Sequence, residues 1–277
     1  MSEISFVDVE GIKLCFKFKG EGYPIFLIHG FAKKEFWMGQ IAALSAQFKV
    51  IWFDNRGVGE SDRPNMPYTM KMLVEDLKGL MDFLNIQKAH LIGHSLGSFI
   101  AQNFTINYPE RVNKLILMST NPGLPDQKGI DIFKNNQIAL YEARIKDPIS
   151  SFYTKMKVRF TREFLKLMKS DPKKQFHGIF SAEDLIKSEN ENPWTPQDII
   201  NHSNALADHN TLADLYKIKH KTLIIAGEKD RLTPRISSEQ VHEKIPNSEL
   251  KIVSGGHYFP LENTHEVNQI IIDFLKS

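Results

Sequence analysis

A chain of 277 residues is long enough to bury a full core, and a formal charge of +2 is too small to draw it to nucleic acid or to a membrane surface. A hydrophobic share of 42% beside a charged share of 25% excludes the low-complexity and disordered classes. Cys15 is the single cysteine, so no intramolecular disulfide can form and a reducing compartment is permitted.

The opening Met1-Ser2-Glu3-Ile4-Ser5-Phe6 lacks the basic stretch and apolar block of a secretory leader. No apolar run approaches the ~20 residues that cross a bilayer. A cytoplasmic protein without a membrane span is therefore expected, as a monomer or homodimer. Two alternating runs, Ser5 to Val9 and Ile12 to Lys19, read as strands, and Glu10-Gly11 between them reads as a hairpin turn. Cys15 falls in the second run and reads as a small core or surface side chain. Ile25 to Ile28 is a short, continuous apolar run of the kind buried on both faces of a parallel sheet. A helix is expected near Glu35 to Ala46, then a strand at Val50 to Phe53. Thr69 to Leu84 carries Met72, Leu73, Leu77, Leu80 and Leu84 at helical spacing.

Ala89 to Ile92 is the next strand, and Ser98 to Tyr108 the next helix. Further strands are expected at Leu115 to Met118, Thr222 to Ile225 and Leu250 to Val253, with a closing amphipathic helix at Val267 to Leu275. Strands alternating with helices over short connections imply an α/β sheet covered on both faces. One block breaks the rhythm. From 124 to 207 helical patterns rich in Lys, Phe and Met are broken by Pro148, Pro172, Pro193 and Pro196. This block reads as a helical lid inserted into a core formed by 1–123 and 208–277. Ligand sites in such sheets lie at the carboxyl ends of the strands, so the insertion would roof that edge.

Between the strand at Ala89 and the helix at Ser98 stands Gly93-His94-Ser95-Leu96-Gly97. Gly-x-Ser-x-Gly in that context is a tight turn that strains the serine and lifts its hydroxyl above the sheet edge, at a helix N-terminus. Ser95 could instead serve merely as a helix N-cap. A serine nucleophile needs a base, and the base needs an orienting acid. Asp230 follows the strand ending at Ala226, and His257 follows the last strand, so both emerge at carboxyl ends. Glu228, Asp208 and Asp214 lie not far from Asp230 and compete with it. Asn121 occupies the place where an acid could follow the earlier strand. His242, His220 and His265 fall on helix or surface segments.

Other patterns fail as cofactor or metal sites. Gly57-x-Gly59-x-Ser61 lacks the lysine of a phosphate cradle and reads as a tight loop beside the site. His242-Glu243 begins like a zinc-protease motif, but Pro246 stands where the second histidine belongs. No cofactor and no metal are expected.

Six stretches carry a family resemblance: His29-Gly30-Phe31, Asp54 to Ser61, Gly93 to Gly97, Pro109-Glu110-Arg111-Val112, Gly227 to Asp230, and Gly256-His257. On these, the chain resembles the α/β-hydrolase family over almost its whole length. The resemblance implies a mostly parallel eight-stranded sheet with helices on both faces and a helical lid. It implies Ser95 as nucleophile, His257 as general base and then acid, and Asp230 as the group that holds the imidazole. It also implies that the backbone N–H groups of Phe31 and Leu96 form the oxyanion hole. Pro67-Tyr68-Thr69, with Pro109 to Val112, resembles the enol-lactonase branch.

The expected reaction is hydrolysis of a small-molecule carboxylic ester with a small to medium apolar acyl or aryl group. Candidate pocket residues are His29, Phe31, His94, Phe133, Phe152, Phe160 and Trp194, with Phe164 as a further apolar residue of the insertion. His29 and His94 flank glycines near the site and suit packing and hydrogen bonding there. Lactonase and carbon–carbon bond hydrolase chemistry use the same three residues, and a ligand-binding receptor on this fold keeps them too. A serine in place of aspartate argues against haloalkane dehalogenase and epoxide hydrolase chemistry.

Overall fold

The computed structural model describes residues 3–123 and 126–277. Met1 and Ser2, and Leu124, the expected first residue of the insertion, lie outside the described residues. Eight strands form one sheet: β1 (Ser5–Val9), β2 (Ile12–Lys19), β3 (Pro24–Ile28), β4 (Lys49–Phe53), β5 (Ala89–His94), β6 (Val112–Met118), β7 (Thr222–Gly227) and β8 (Ser248–Val253). Their spatial order is β1-β2-β4-β3-β5-β6-β7-β8. The β1–β2 and β2–β4 pairs are antiparallel, and every later pair is parallel. The β1–β2 hairpin turns on Glu10 and Gly11 at φ 52° and 80°, the left-handed pair that suits the twist of the strands.

Helices cover both faces: α1 (Met38–Ser45), α2 (Met70–Phe83), α3 (Leu96–Asn107), α4 (Gln127–Lys146), α5 (Pro148–Met156), α6 (Arg162–Ser170), α7 (Ala182–Asn190), α8 (Pro196–Ala207), α9 (Arg235–Lys244), α10 (Phe259–Glu262) and α11 (Thr264–Lys276). The segment expected as one helix from Glu35 begins as a 3-10 turn at Lys34–Trp37 before α1. The α9 helix has no counterpart among the sequence expectations, because its polar run buries only Ser238 and Val241. Thr69 caps α2 by accepting the Met72 N–H at 3.2 Å, so the helix starts where its apolar periodicity begins.

Strand alternation divides the core. On β3, Phe26 and Ile28 face a cluster with Leu73 and Leu77 of α2 and Phe99 of α3, whereas Ile25 and Leu27 face Leu44 of α1 and Ile271 of α11. All four β3 side chains are fully buried, each worth about 1.5–3 kcal/mol of hydrophobic stabilisation. Helices α4 to α8 lie between β6 and β7 in the chain. Phe152, Met156, Leu165 and Met168 of this block join the α1–α11 cluster, and Ala205 and Leu206 of α8 join the other. The inserted helices are therefore continuous with both halves of the core. Among the described residues no helix is long and apolar enough to cross a membrane.

The parallel register from β3 to β8 has one consequence for the site. The loops that leave β3, β5, β6, β7 and β8 all emerge on one edge of the sheet.

Three histidines are packed as neutral rings. His209 stacks on Phe99 with 4.4 Å between centroids, its Nε2–H donates to Asn121 O at 2.9 Å, and its Nδ1 accepts from Asn103 at 3.0 Å. Burial lowers its pKa to about 4, that of His90 to about 4 and that of His202 to about 3. In the unfolded chain histidine titrates near 6.5, so below that pH the unfolded state binds more protons. Their contribution to stability is present above about pH 6.5 and is lost as the pH falls toward about 4. The thermal unfolding midpoint, followed by circular dichroism, will therefore drop between pH 7 and pH 4.5, and less steeply for His209→Gln. Superimposable melting curves across that range would contradict this account.

Candidate active site

Ser95 sits between β5 and α3 at φ 55° and ψ −126°, a conformation that costs a side-chain-bearing residue about 1–3 kcal/mol. Packing enforces it. A Cβ on Gly93 would lie 2.3 Å from the Gly97 carbonyl oxygen, and one on Gly97 would lie 1.9 Å from that of Ile28. The first turn of α3 closes on Gly93 and the end of β3 closes on Gly97, so neither position has room for a side chain. The Gly30 backbone approaches from β3, where a Cβ would stand 2.7 Å from Ser95 Cβ. Among the described residues the Phe31 and Leu96 N–H groups have no hydrogen-bond acceptor. Both belong to segments packed around Ser95.

Asp230 and His257 leave β7 and β8 and meet. The His257 Nδ1–H donates to Asp230 Oδ2 at 2.8 Å. Because the carboxylate only accepts, Nδ1 carries a ring proton. The second Asp230 oxygen accepts the N–H groups of Leu232 and Thr233, both at 2.9 Å. Burial works to raise the Asp230 pKa, but the adjacent His257, these N–H donors and Ser119 outweigh it and hold the carboxyl below its usual range. Asp230 is thus an anion over the whole neutral range.

Ser95 and His257 line one cavity of about 200 Å³, together with Phe31, His94, Phe99 and Phe133 among others. The Ser95 hydroxyl makes no hydrogen bond among the described residues.

A profile of the alpha/beta hydrolase fold matches residues 23–264. The chain belongs to the α/β-hydrolase fold family. Over 245 residues it is 27% identical to a Caulobacter segnis protein assigned as a carbamate hydrolase, RutD, covering 87% of this chain and 86% of the relative. It is 29% identical to the 2-hydroxy-6-oxononadienedioate/2-hydroxy-6-oxononatrienedioate hydrolase of Paraburkholderia phymatum, over 84% of this chain and 78% of the relative. The solved enol-lactonase of Burkholderia xenovorans LB400 superposes with a TM-score of 0.84 at 20% identity, over 99% of this chain and all of that one. That likeness is one of fold.

Within this α/β hydrolase the expected pocket residues divide. Phe31, His94 and Phe133 stand on the cavity wall. His29, Phe152, Phe160 and Trp194 are not among its lining residues. His29 is sealed beneath the loop, with its Nδ1 bonded to Gly30 O at 2.8 Å. Phe160 is buried behind Tyr258, 5.5 Å between centroids. Trp194 stacks on the far face of Phe31, 4.8 Å away, and with Phe152 lines a separate, smaller space. Phe31 lines both spaces, and sequence spacing carries no information on which of them a distant aromatic enters.

Asn121 plays no acid role: its side-chain oxygen accepts the Gly123 N–H and its amide reaches Ser237. Ser119, which sequence reasoning passed over, donates its hydroxyl to Asp230 Oδ2 at 2.7 Å. It sits at φ 50° just past β6, and its place at a strand's carboxyl end was the available signal. Glu262 was also missed. Its carboxylate accepts the Gly256 N–H at 2.8 Å and the Thr161 hydroxyl at 2.6 Å, tying the His257 loop to the start of α6.

The loop that carries Phe31 is held by a buried cation. Lys34 Nζ donates to Asp54 Oδ2 at 2.7 Å and to Glu60 Oε2 at 3.2 Å, and the Lys34 N–H donates to Asp54 Oδ1 at 2.9 Å. Burial alone would lower the lysine pKa; Asp54 and then Glu35 outweigh it and raise it. Cys15, Asp54 and Glu60 come together as potential metal ligands. The ammonium of Lys34 already bridges the two carboxylates, and burial pushes the Cys15 thiol up to about 12, so it stays protonated. This donor set suits the lysine rather than a metal. Removing one partner of a buried pair strands the other charge and costs about 3–5 kcal/mol. Urea unfolding of Lys34→Met will show a loss of that size, and adding Asp54→Asn will recover part of it. A Lys34→Met variant as stable as the parent would refute the role given to the pair.

Proposed function

We propose that this α/β hydrolase cleaves carboxylic esters of small to medium acyl or aryl groups through an acyl-enzyme on Ser95. The observation that carries the reading is the 2.8 Å Asp230–His257 bond on the wall of the cavity that Ser95 enters. His257 Nε2 takes the Ser95 proton as Oγ forms a bond to the ester carbonyl carbon. The Phe31 and Leu96 N–H groups receive the resulting oxyanion, each worth about 2.7–4 kcal/mol of barrier by analogy with a protease donor. The protonated imidazole then gives its proton to the leaving alcohol. Water repeats the sequence and releases the acid.

Helices α4 to α8 act in this reading as the lid that roofs the cavity, since Phe133 and Ile130 of α4 contribute to its lining. An apolar lining of Phe31, Phe99, Phe133 and Leu206 favours an uncharged segment next to the scissile bond. The names of the relatives span carbamate, oxo-dienedioate and enol-lactone hydrolysis. A carbonyl attacked by an activated serine is the chemistry that an ester tests most directly.

Purified protein will hydrolyse 4-nitrophenyl esters of short acids with many turnovers, and a fluorophosphonate will label Ser95. Ser95→Ala will lose about a millionfold in kcat, the scale of another serine triad, with its circular dichroism spectrum and melting point retained. Turnover retained by the folded variant defeats the assignment. A panel of esters, lactones, carbamates and diketone acids ranks the substrate classes by kcat/KM.

A further inference from the structure

Arg159 lies three residues past α5 and is 2% exposed, yet it lines the same cavity as Ser95 and His257. Its guanidinium is satisfied only by neutral acceptors. Nη1 donates to Lys155 O at 3.0 Å, Nε to the Tyr258 hydroxyl at 3.3 Å, and Nη2 to Gln137 Oε1 at 3.4 Å. Among the described residues no carboxylate forms an ion pair with it. Glu189 is near enough to feel its charge, but that carboxylate is taken by Lys155. A buried cation with no carboxylate in direct contact is costly, because hydrogen bonds to neutral acceptors repay its lost hydration less fully than an anion held close. The other full charge on the cavity wall, Asp126, is exposed and occupied in capping α4, where it accepts the Gly129 N–H at 2.6 Å.

The backbone fixes Arg159 beside the candidate base. Its carbonyl accepts the Tyr258 N–H at 2.8 Å, one residue from His257. A Cβ on Gly256 would fall 2.5 Å from the same oxygen. Cap and histidine loop are thus in registered contact at this residue, whose side chain is buried beside them.

We propose that Arg159 binds an anionic group of the substrate, so that the cavity selects esters whose acyl chain ends in a carboxylate. The inference rests on the reading of Ser95 and His257 as the reacting pair and specifies its substrate class. The guanidinium donates charge-assisted hydrogen bonds to the carboxylate, and Phe31 and Phe133 cover the methylenes between it and the scissile carbonyl.

The test compares mono-4-nitrophenyl glutarate with 4-nitrophenyl valerate, which match in acyl length and differ in terminal charge. The wild-type protein will prefer the glutarate ester by about tenfold or more in kcat/KM, mainly through KM. Arg159→Gln will erase that preference while valerate hydrolysis changes by no more than a few fold, and Arg159→Lys will retain part of it. Calorimetric titration with glutarate, which needs no turnover, will show binding to the wild type that is weakened about tenfold in Arg159→Gln. Valerate hydrolysis through Ser95 with no preference for glutarate and no glutarate binding overturns the anion site and leaves the esterase reading standing. Glutarate binding that depends on Arg159, without hydrolysis of either ester, supports the anion site and removes the esterase reading. Equal losses on both esters in Arg159→Gln would assign the residue to structure alone.

Discussion

The close approach of α3 to β5 is the constraint on which this site depends. A helix that starts immediately after a strand leaves no room for a side chain at Gly93, the end of β3 leaves none at Gly97, and the serine between them is held at φ 55°. The strain is local, and the core that imposes it is large: β5 lies between β3 and β6 in a sheet covered on both faces. A turn of about 1–3 kcal/mol in backbone strain persists because many buried side chains on both sides over-determine its geometry. The hydroxyl is thereby presented at the sheet edge.

The parallel register extends that edge to the partners. Since β5, β6, β7 and β8 run the same way, Ser95, Ser119, Asp230 and His257 all leave at their carboxyl ends. Asp230 is then surrounded by donors, and two of its four bonds come from its own turn. Such a carboxylate is anchored before it meets the imidazole, which fixes the ring proton on Nδ1. Ser119 adds a fourth donor from the neighbouring strand. The result is an acceptor held in place by four hydrogen bonds.

Around this centre, buried polar groups connect loops that the apolar core does not reach. Lys34 and Asp54 hold the Phe31 loop to the end of β4. Glu262 joins the His257 loop to α6, and Arg63 bonds Asp198 of α8 at 2.6 Å. The two cations among these, Lys34 and Arg63, each meet a carboxylate, whereas Glu262 is held by neutral donors. Arg159 departs from that pattern, being sealed inside with neutral acceptors only. In the reading proposed above, an anionic group of the substrate completes its electrostatics.

By itself the sequence determined what short-range chemistry encodes. Apolar runs set the buried strands, the alternation of strands and helices set the layered sheet, and Gly-x-Ser-x-Gly set the strained turn, because neighbours in sequence share one backbone path. It also placed Asp230 and His257 at strand ends. Tertiary structure alone decided that these two, 27 residues apart, lie 2.8 Å apart, that Phe31 lines two spaces, and that Arg159 has no carboxylate partner. The first outcome follows from the parallel pairing of β7 and β8, and the other two depend on how helices α4 to α8 settle on the sheet. That settling is a sum of many weak contacts between segments distant in the chain, and no local spacing records it.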